Sequence, residues 1–278
     1  MPSSAALEQQ IRSLREIENI VGAMKAYAGV AVRRAEAVVR NIRACEKSAR
    51  DALADLVARY PHLSPGQSGS GRRIVVAFGS SLGLCGMFNE KMAEAVAAGN
   101  GCDTLLVIGR RLRYLIETKG SACAGQFEAP ASVDGIRGAL QESLGRIREL
   151  YARPDYYQLA FAFTSVLDNQ SRIAIERVLP PELGETGSTD GACRPLLTYE
   201  EPQAVFAGIL EEFLSASLYR CYVESLRSEN WFRLRTMEGA SESLKKHTTE
   251  LSSLQNYVRQ EEITEEMLEI LGGGMFYR

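Results

Sequence analysis

Residues 74–91 read IVVAFGSSLGLCGMFNEK. Ile74 to Phe78 is a short unbroken apolar run, the pattern of a strand buried on both faces. Gly79, Gly83 and Gly86 then interrupt it, and Met87 to Ala98 returns to helical spacing. A buried strand that turns directly into a helix predicts an α/β core. Further along, Thr104 to Ile108 is a second strand and Arg110 to Thr118 a second helix. Ser121 to Phe127 is a third strand candidate and Val133 to Tyr151 a third helix. Tyr157 to Thr164 and Ser171 to Leu179 are strands close enough to form a hairpin. Strands alternating with helices predict a Rossmann-like, partly parallel sheet covered on both faces.

Both flanks of this core have a different texture. Before Pro61 the only proline is Pro2. Apolar or small residues recur at Leu7, Ile11, Leu14, Ile17, Val21, Met24, Ala28, Ala35, Val39 and Ile42, then at Ala49, Leu53, Leu56 and Tyr60. Steps of three and four sustained over this distance predict one amphipathic helix of coiled-coil type, roughly 80 Å long at 1.5 Å per residue. After Pro202 no proline occurs, and a second stripe runs through Phe206, Leu210, Phe213, Ser217 and Cys221, resuming at Leu234, Met237, Ser241, Leu244, Thr248, Leu251 and Val258. Antiparallel pairing of the two long helices buries both stripes. Charge agrees: residues 1–60 hold ten bases and seven acids, +3, and residues 200–278 hold eight bases and fourteen acids, -6. Exposed pairs contribute only tenths of a kcal/mol each, and ordinary solvated faces explain most of the individual charges. The organisation expected is an N-terminal coiled-coil helix over 1–60, an α/β domain over 61–200 and a C-terminal coiled-coil helix over 201–278. Pro61 to Gly71 is a linker by composition and the polar stretch 180–194 a mobile loop.

The whole-chain figures exclude several classes. A net charge of -3 with 24% charged residues does not favour general nucleic-acid binding. Cys45, Cys85, Cys102, Cys123, Cys193 and Cys221 have no C-x-x-C spacing, and only His62 and His247 accompany them. No metal site is expected, and the scatter suits a reducing compartment. The N-terminus lacks a signal-peptide core and no apolar run approaches the length of a bilayer span. Direct membrane insertion is not expected; any work at a membrane requires another subunit to hold the chain there.

Three readings of the glycine-rich turn compete. Gly79-Ser80-Ser81-Leu82-Gly83 is a G-x-S-x-G pattern, the setting of a hydrolase nucleophile. That chemistry needs a downstream histidine above the sheet, and His247 falls inside a long charged helix. A phosphate cradle needs G-x-x-x-x-G-K-[ST] or G-x-G-x-x-G, and neither spacing is present, although free N–H groups at a helix start attract anions. The third reading is a tight strand-to-helix connection, with Cys85 a small buried residue. No paired carboxylates, activated lysine or cofactor motif appears, so the residues point to a mechanical or binding protein without catalytic residues or cofactors.

Short segments along nearly the whole chain resemble one family. Ala23-Met24-Lys25 with Arg33-Arg34-Ala35, Gly83-Leu84-Cys85-Gly86 with Phe88-Asn89, Phe163-Thr164-Ser165, Val178-Leu179-Pro180 and Tyr199-Glu200 with Pro202 occur in order. Ser228-Glu229, Arg233 and Met237 follow, then Arg259-Gln260, Ile263-Thr264-Glu265 and Glu269-Ile270. The set is similar to the gamma subunit, the central rotor shaft, of F-type rotary ATPases. The chain departs from that pattern at Ser81-Leu82, where Asp-Arg is usual, at Met87, at Ala31 and in the terminal GGGMFYR, as a divergent member would.

The resemblance implies a non-catalytic central-stalk rotor. It would couple proton or sodium movement through a membrane c-subunit ring to ATP synthesis or hydrolysis on a hexamer of alpha and beta subunits, with the α/β domain near the epsilon subunit and the c ring. It implies a peripheral place on the cytoplasmic side of a bacterial inner membrane. Carried over by motif, Met24, Lys25, Arg233, Arg259, Gln260, Thr264 and Glu265 are partner contacts, and Ile270 to Arg278 turns in an upper bearing. Gly83, Leu84, Cys85 and Gly86 form a structural turn. An unrelated coiled-coil scaffold with an α/β head is the alternative.

Overall fold

A computed structural model describes residues 4–63, 71–99, 104–183 and 199–274. Helix α1 spans Ser4–Arg59, followed by a 3-10 turn at Pro61–Leu63. The core then runs β1 (Arg72–Phe78), α2 (Phe88–Ala97), β2 (Thr104–Ile108), α3 (Arg110–Thr118), β3 (Gly125–Phe127), α4 (Ile136–Tyr151), β4 (Tyr156–Leu167) and β5 (Gln170–Leu179). Helix α5 spans Pro202–Gly274. The strand predicted at Ser121 to Phe127 shortens to three residues, and the helix predicted from Val133 starts as a 3-10 turn at Val133–Gly135. Most of the predicted linker, residues 64–70, and residues 184–194 of the predicted loop lie outside the described residues.

The five strands lie in the order β3-β2-β1-β4-β5. β1 pairs in parallel with β2 and β4, and β2 with β3, while β4 and β5 are antiparallel. The turn between β4 and β5 is Asp168-Asn169, both at positive φ (48° and 62°). Two successive left-handed residues match the right-handed twist of a tight hairpin, and Asp and Asn tolerate that conformation better than other side chains.

Alternation along the strands divides the core. Ile74, Val76, Phe78, Phe161 and Phe163 face α1, α4 and α5. Val75, Ala77, Val107 and Ala162 face Met92 and Ala93 of α2 and Leu112 and Ile116 of α3. Because both faces are covered, the strands read as unbroken apolar runs. The first face holds α5 on several sides at once, and residues 213–230 are buried around almost the full circumference of the helix. Phe78 meets Tyr222 of α5 edge-on, with ring centroids 5.1 Å apart.

The chain divides into two compact units, residues 1–28 with 234–278 and residues 29–233, so both boundaries fall inside the long helices. In the first unit the helices run antiparallel: the Ser4 amide donates to Glu262 Oε1 (3.1 Å), and Lys25 Nζ lies 3.4 Å from Glu238 Oε1. On α1 the buried or half-buried positions run through Leu7, Ile11, Leu14, Glu18, Val21, Met24 and Ala28. The seven-residue phase of Leu7, Leu14, Val21 and Ala28, interleaved with Ile11 and Glu18, leaves Ile17 exposed and sets Glu18 on the seam, where step counting had placed Ile17; the second series slips by one residue to Met24, with Lys25 exposed. The α5 seam is Met237, Leu244, Leu251 and Val258, alternating with Ser241, Thr248, Gln255 and Glu262. Half of that series is polar.

Candidate functional site

The turn after β1 is built from side chains that satisfy one another. Ser80 and Asn89 are both fully buried. The Ser80 amide donates to Asn89 Oδ1 (2.9 Å), Asn89 Nδ2 donates to Ser80 Oγ (2.8 Å), and Ser80 Oγ donates to the Leu82 carbonyl (2.7 Å). Asn89 Nδ2 also reaches Cys85 Sγ at 3.4 Å. Leu84 and Gly86 adopt left-handed conformations, φ 63° and 53°, which let the chain reverse into α2. Burial raises the Cys85 pKa above its ordinary value, despite the Ser80 hydrogen bond that lowers it, so the thiol stays protonated. The structural-turn reading of Gly83, Leu84, Cys85 and Gly86 therefore has a geometry to match.

The other two readings of this turn find no support. Ser81 Oγ accepts the Ala129 amide at 3.1 Å, a loop tie rather than a bond to a base. His247 lies exposed on α5, 3.5 Å from a Glu250 oxygen. A Cβ placed on Gly79 would sit 2.3 Å from Leu112 Cβ and 2.9 Å from Asn89 Oδ1. The space beside this glycine holds protein side chains, not room for a phosphate. Open α/β sheets bind ligands outside the carboxyl ends of their strands. Here Tyr222, Ser225, Leu226 and Glu229 of α5 cover the ends of β1 and β2, leaving a cavity of about 10 Å³. That is about the size of one water, against several hundred Å³ for a small-molecule site. Among the described residues no group of His, Cys, Asp or Glu is arranged to hold a metal.

The residues expected to touch partners fall into two sets. Lys25, Arg259, Gln260, Thr264 and Glu265 are exposed on the two antiparallel helices, and Met24 is half-buried. Thr264 Oγ1 donates back to the Gln260 carbonyl (2.8 Å). Around them lie exposed apolar side chains: Ile20 and Tyr27 on α1, and Tyr257, Met267, Leu268 and Ile270 on α5. Of the segment expected to turn in a bearing, residues 271–278 lie outside the described side chains.

Arg233 belongs to the interior. It is 4% exposed, its Nη2 lies 2.5 Å from Glu229 Oε1, and its Nη1 donates to Asn230 Oδ1 at 2.7 Å. Ser228, from the same motif, donates to the Thr164 carbonyl of β4 (2.6 Å). Burial raises the Glu229 pKa although Arg233 pulls it down. In this segment Ser228 ties α5 to β4, while Glu229, Asn230 and Arg233 satisfy one another within the helix.

Sequence reasoning also passed over a buried ionic cluster in the second unit. Arg220 Nε sits 2.5 Å from Glu46 Oε2 of α1 in an ion pair, and Arg220 Nη2 donates to Glu46 Oε1 (3.3 Å). Its Nη2 donates to Glu176 Oε2 of β5 (2.5 Å), and its guanidinium lies over the Phe163 ring of β4, 5.0 Å from the centroid. Ser217 donates to Glu46 Oε1 (2.8 Å), and Arg43 donates to Glu224 Oε1 through Nε (3.0 Å) and Nη2 (2.7 Å). A signal was present: Glu46 occupies the seven-residue phase between Val39 and Leu53, and Arg220 sits between Ser217 and Cys221 of the α5 stripe. A charge on an apolar seam is either a register device or a buried pair.

Comparison with known proteins agrees with this architecture. The family profile described as ATP synthase matches residues 3–275. The chain is 25% identical over 288 residues to the ATP synthase gamma chain of Heliobacterium modesticaldum, with 98% of each chain covered. It is 26% identical over 294 residues to that of Polynucleobacter necessarius, covering 98% of this chain and 99% of the relative. The fold resembles a central-stalk chain of the Tetrahymena thermophila mitochondrial ATP synthase (TM-score 0.61, 16% identity, 80% and 99% covered). A chain of the Euglena gracilis mitochondrial enzyme is also similar (TM-score 0.59, 15% identity, 96% and 94% covered).

Proposed function

Because the chain belongs to the ATP synthase gamma-chain family, a non-catalytic subunit of the rotary complex and part of its central stalk, we propose that it is the rotor that couples ion movement through a membrane c-subunit ring to ATP synthesis or hydrolysis on an alpha/beta hexamer. In this reading Met24, Lys25, Arg259, Gln260, Thr264 and Glu265 meet the hexamer, and the α/β body meets the epsilon subunit and the c ring. The chain then works on the cytoplasmic face of a bacterial inner membrane, held there by other subunits. Among the described residues no helix is long and apolar enough to cross a membrane.

The observation that carries the reading is the surface of the antiparallel helix pair. Tyr257, Met267, Leu268 and Ile270 are more than half exposed on a helix whose inward seam is already half polar. Such side chains are at home in an apolar sleeve, not in water. A rotating contact of this kind is non-directional and tolerates sliding, whereas a dense set of fixed hydrogen bonds would hold one angle. A rotor biases catalytic sites only where its contacts differ among their conformations, so the few polar groups among the apolar ones set preferred angles.

The test is co-expression of the full chain with alpha and beta subunits. Co-elution with the hexamer as a single complex is expected. Failure to bind the hexamer under every nucleotide condition, with a stable homodimer formed through the long helices, would overturn the reading in favour of a coiled-coil scaffold.

A further inference from the structure

We propose that the buried cluster centred on Arg220 and Glu46 is a torsional lock, which fixes the rotational setting of α1 and α5 against the sheet so that torque on the helices reaches the α/β body without slip. This rests on the rotor reading above and assigns positioning residues to it.

Three features of the cluster support the assignment. First, it joins the elements that must move together: Glu46 and Arg43 from α1, Arg220, Ser217 and Glu224 from α5, Glu176 from β5 and the Phe163 ring from β4. Second, beside the ion pair it holds directional hydrogen bonds, Ser217 and Arg220 Nη2 to Glu46, Arg220 to Glu176 and Arg43 to Glu224, unlike the apolar packing around it. Leu53, Leu214 and Leu218 would accept a small rotation of α5 about its own axis by exchanging neighbours. Arg220, paired on one side with Glu46 and on the other with Glu176, would not. Third, the cluster is continued along the same helix toward its C-terminal end. Arg227 Nη2 donates to the Val166 carbonyl (2.5 Å), Ser228 Oγ to the Thr164 carbonyl (2.6 Å) and Trp231 Nε1 to Asn169 Oδ1 (3.2 Å). Counted from Arg220 to Trp231, the fastenings run along the β4–β5 hairpin to its tip and span about three turns of α5.

Stability alone is a poor explanation for the cluster. Buried ion pairs are often matched or exceeded in stability by apolar side chains of similar volume, while their demonstrated use is to specify one register. The placement of Arg220 and Glu46, both 6% exposed, at the crossing of two long helices and the sheet fits that use.

The experiment uses the assembled complex with its hexamer fixed to a surface and a bead on the α/β body of the full-length chain. Two variants are compared with wild type: the double substitution Glu46→Leu with Arg220→Met, which keeps the volume and removes both charges, and the milder Glu46→Gln. Thermal unfolding of each isolated chain verifies the fold, and the angular variance of the bead at a nucleotide-stalled dwell reports torsional stiffness. The variance is expected to rise about twofold in the double variant and by less in Glu46→Gln, with ATP hydrolysis and assembly unchanged. Wild-type variance in both variants, with fold and assembly intact, would overturn the lock. Failure of the wild-type chain to assemble with the hexamer would instead remove the rotor reading, and the lock with it.

Discussion

At the scale of single residues, the interior of the second unit holds polar groups whose ionisation matters. The Tyr222 hydroxyl donates to Ser143 Oγ (3.1 Å), beneath α4. Burial, only partly offset by that hydrogen bond, pushes its pKa from 10.0 to about 12. The neutral phenol is thus favoured by the fold. An acid whose folded pKa is raised contributes its stability fully below the unfolded value and loses it as pH rises through the folded one. Stability should therefore fall between about pH 10 and 12, by up to about 3 kcal/mol from this group. Tyr222→Phe should cost about 1 kcal/mol at neutral pH and flatten that alkaline slope, as read by denaturant unfolding at about pH 9 and about pH 11.5. An unchanged slope would show that Tyr222 is not the titrating group. On the exposed helix pair, Arg259→Ala with Gln260→Ala should leave the isolated fold intact. In the complex each lost charge-assisted or polar contact removes about 1–3 kcal/mol, so ion pumping per ATP should fall. Unchanged pumping would remove both residues from the interface.

At the scale of elements, each long helix carries a seam of mixed quality. The α5 series Ser241, Thr248, Gln255 and Glu262 alternates with Met237, Leu244, Leu251 and Val258, so only alternate positions add apolar burial. Thr248 Oγ1 is buried without a hydrogen-bond partner among the described residues. Thr248→Val keeps the shape and removes the unsatisfied hydroxyl, so it should stabilise this unit by about 1 kcal/mol, seen as slower amide exchange over residues 240–260. Faster exchange would mean that the hydroxyl has a partner. The unbroken apolar runs of the strands and the glycine punctuation after Phe78 made the sheet legible, since strands covered on both faces show no polar alternation. The α1 stripe was legible in outline, but counting steps of three and four placed Ile17 on it. Seven-residue phasing is needed to see that Glu18 takes the seam. The third strand contracted because only Gly125 to Phe127 pair in register with β2, Ala124 adding a single amide bond to the Leu105 carbonyl (2.8 Å). Nothing in the composition of Ser121 to Ala124 marks that limit.

At the scale of the whole molecule, family membership accounts for the architecture, and the chemistry of individual residues divides into fastening and contact. Arg233 was expected among the partner contacts because it came with its motif, and charged side chains are seldom buried. In the structure it pairs with Glu229 and Asn230 inside α5, and only burial could reveal it. Arg259, Gln260 and Thr264 are exposed on α5, as a contact surface requires, and the alanine variants above test whether the first two meet a partner. The Ser81-Leu82 departure from the family pattern acquires a partial account: Ser81 Oγ ties the turn to Ala129, while nothing in the structure explains Leu82, which is exposed. The central claim is that this chain turns inside its hexamer. The most direct measurement is rotation of a bead on the α/β body of the reconstituted complex, with the hexamer fixed and ATP supplied. Sustained rotation in one direction, stopping when ATP is withdrawn, is the predicted result. A hexamer that binds the chain and hydrolyses ATP while the bead stays still would contradict it.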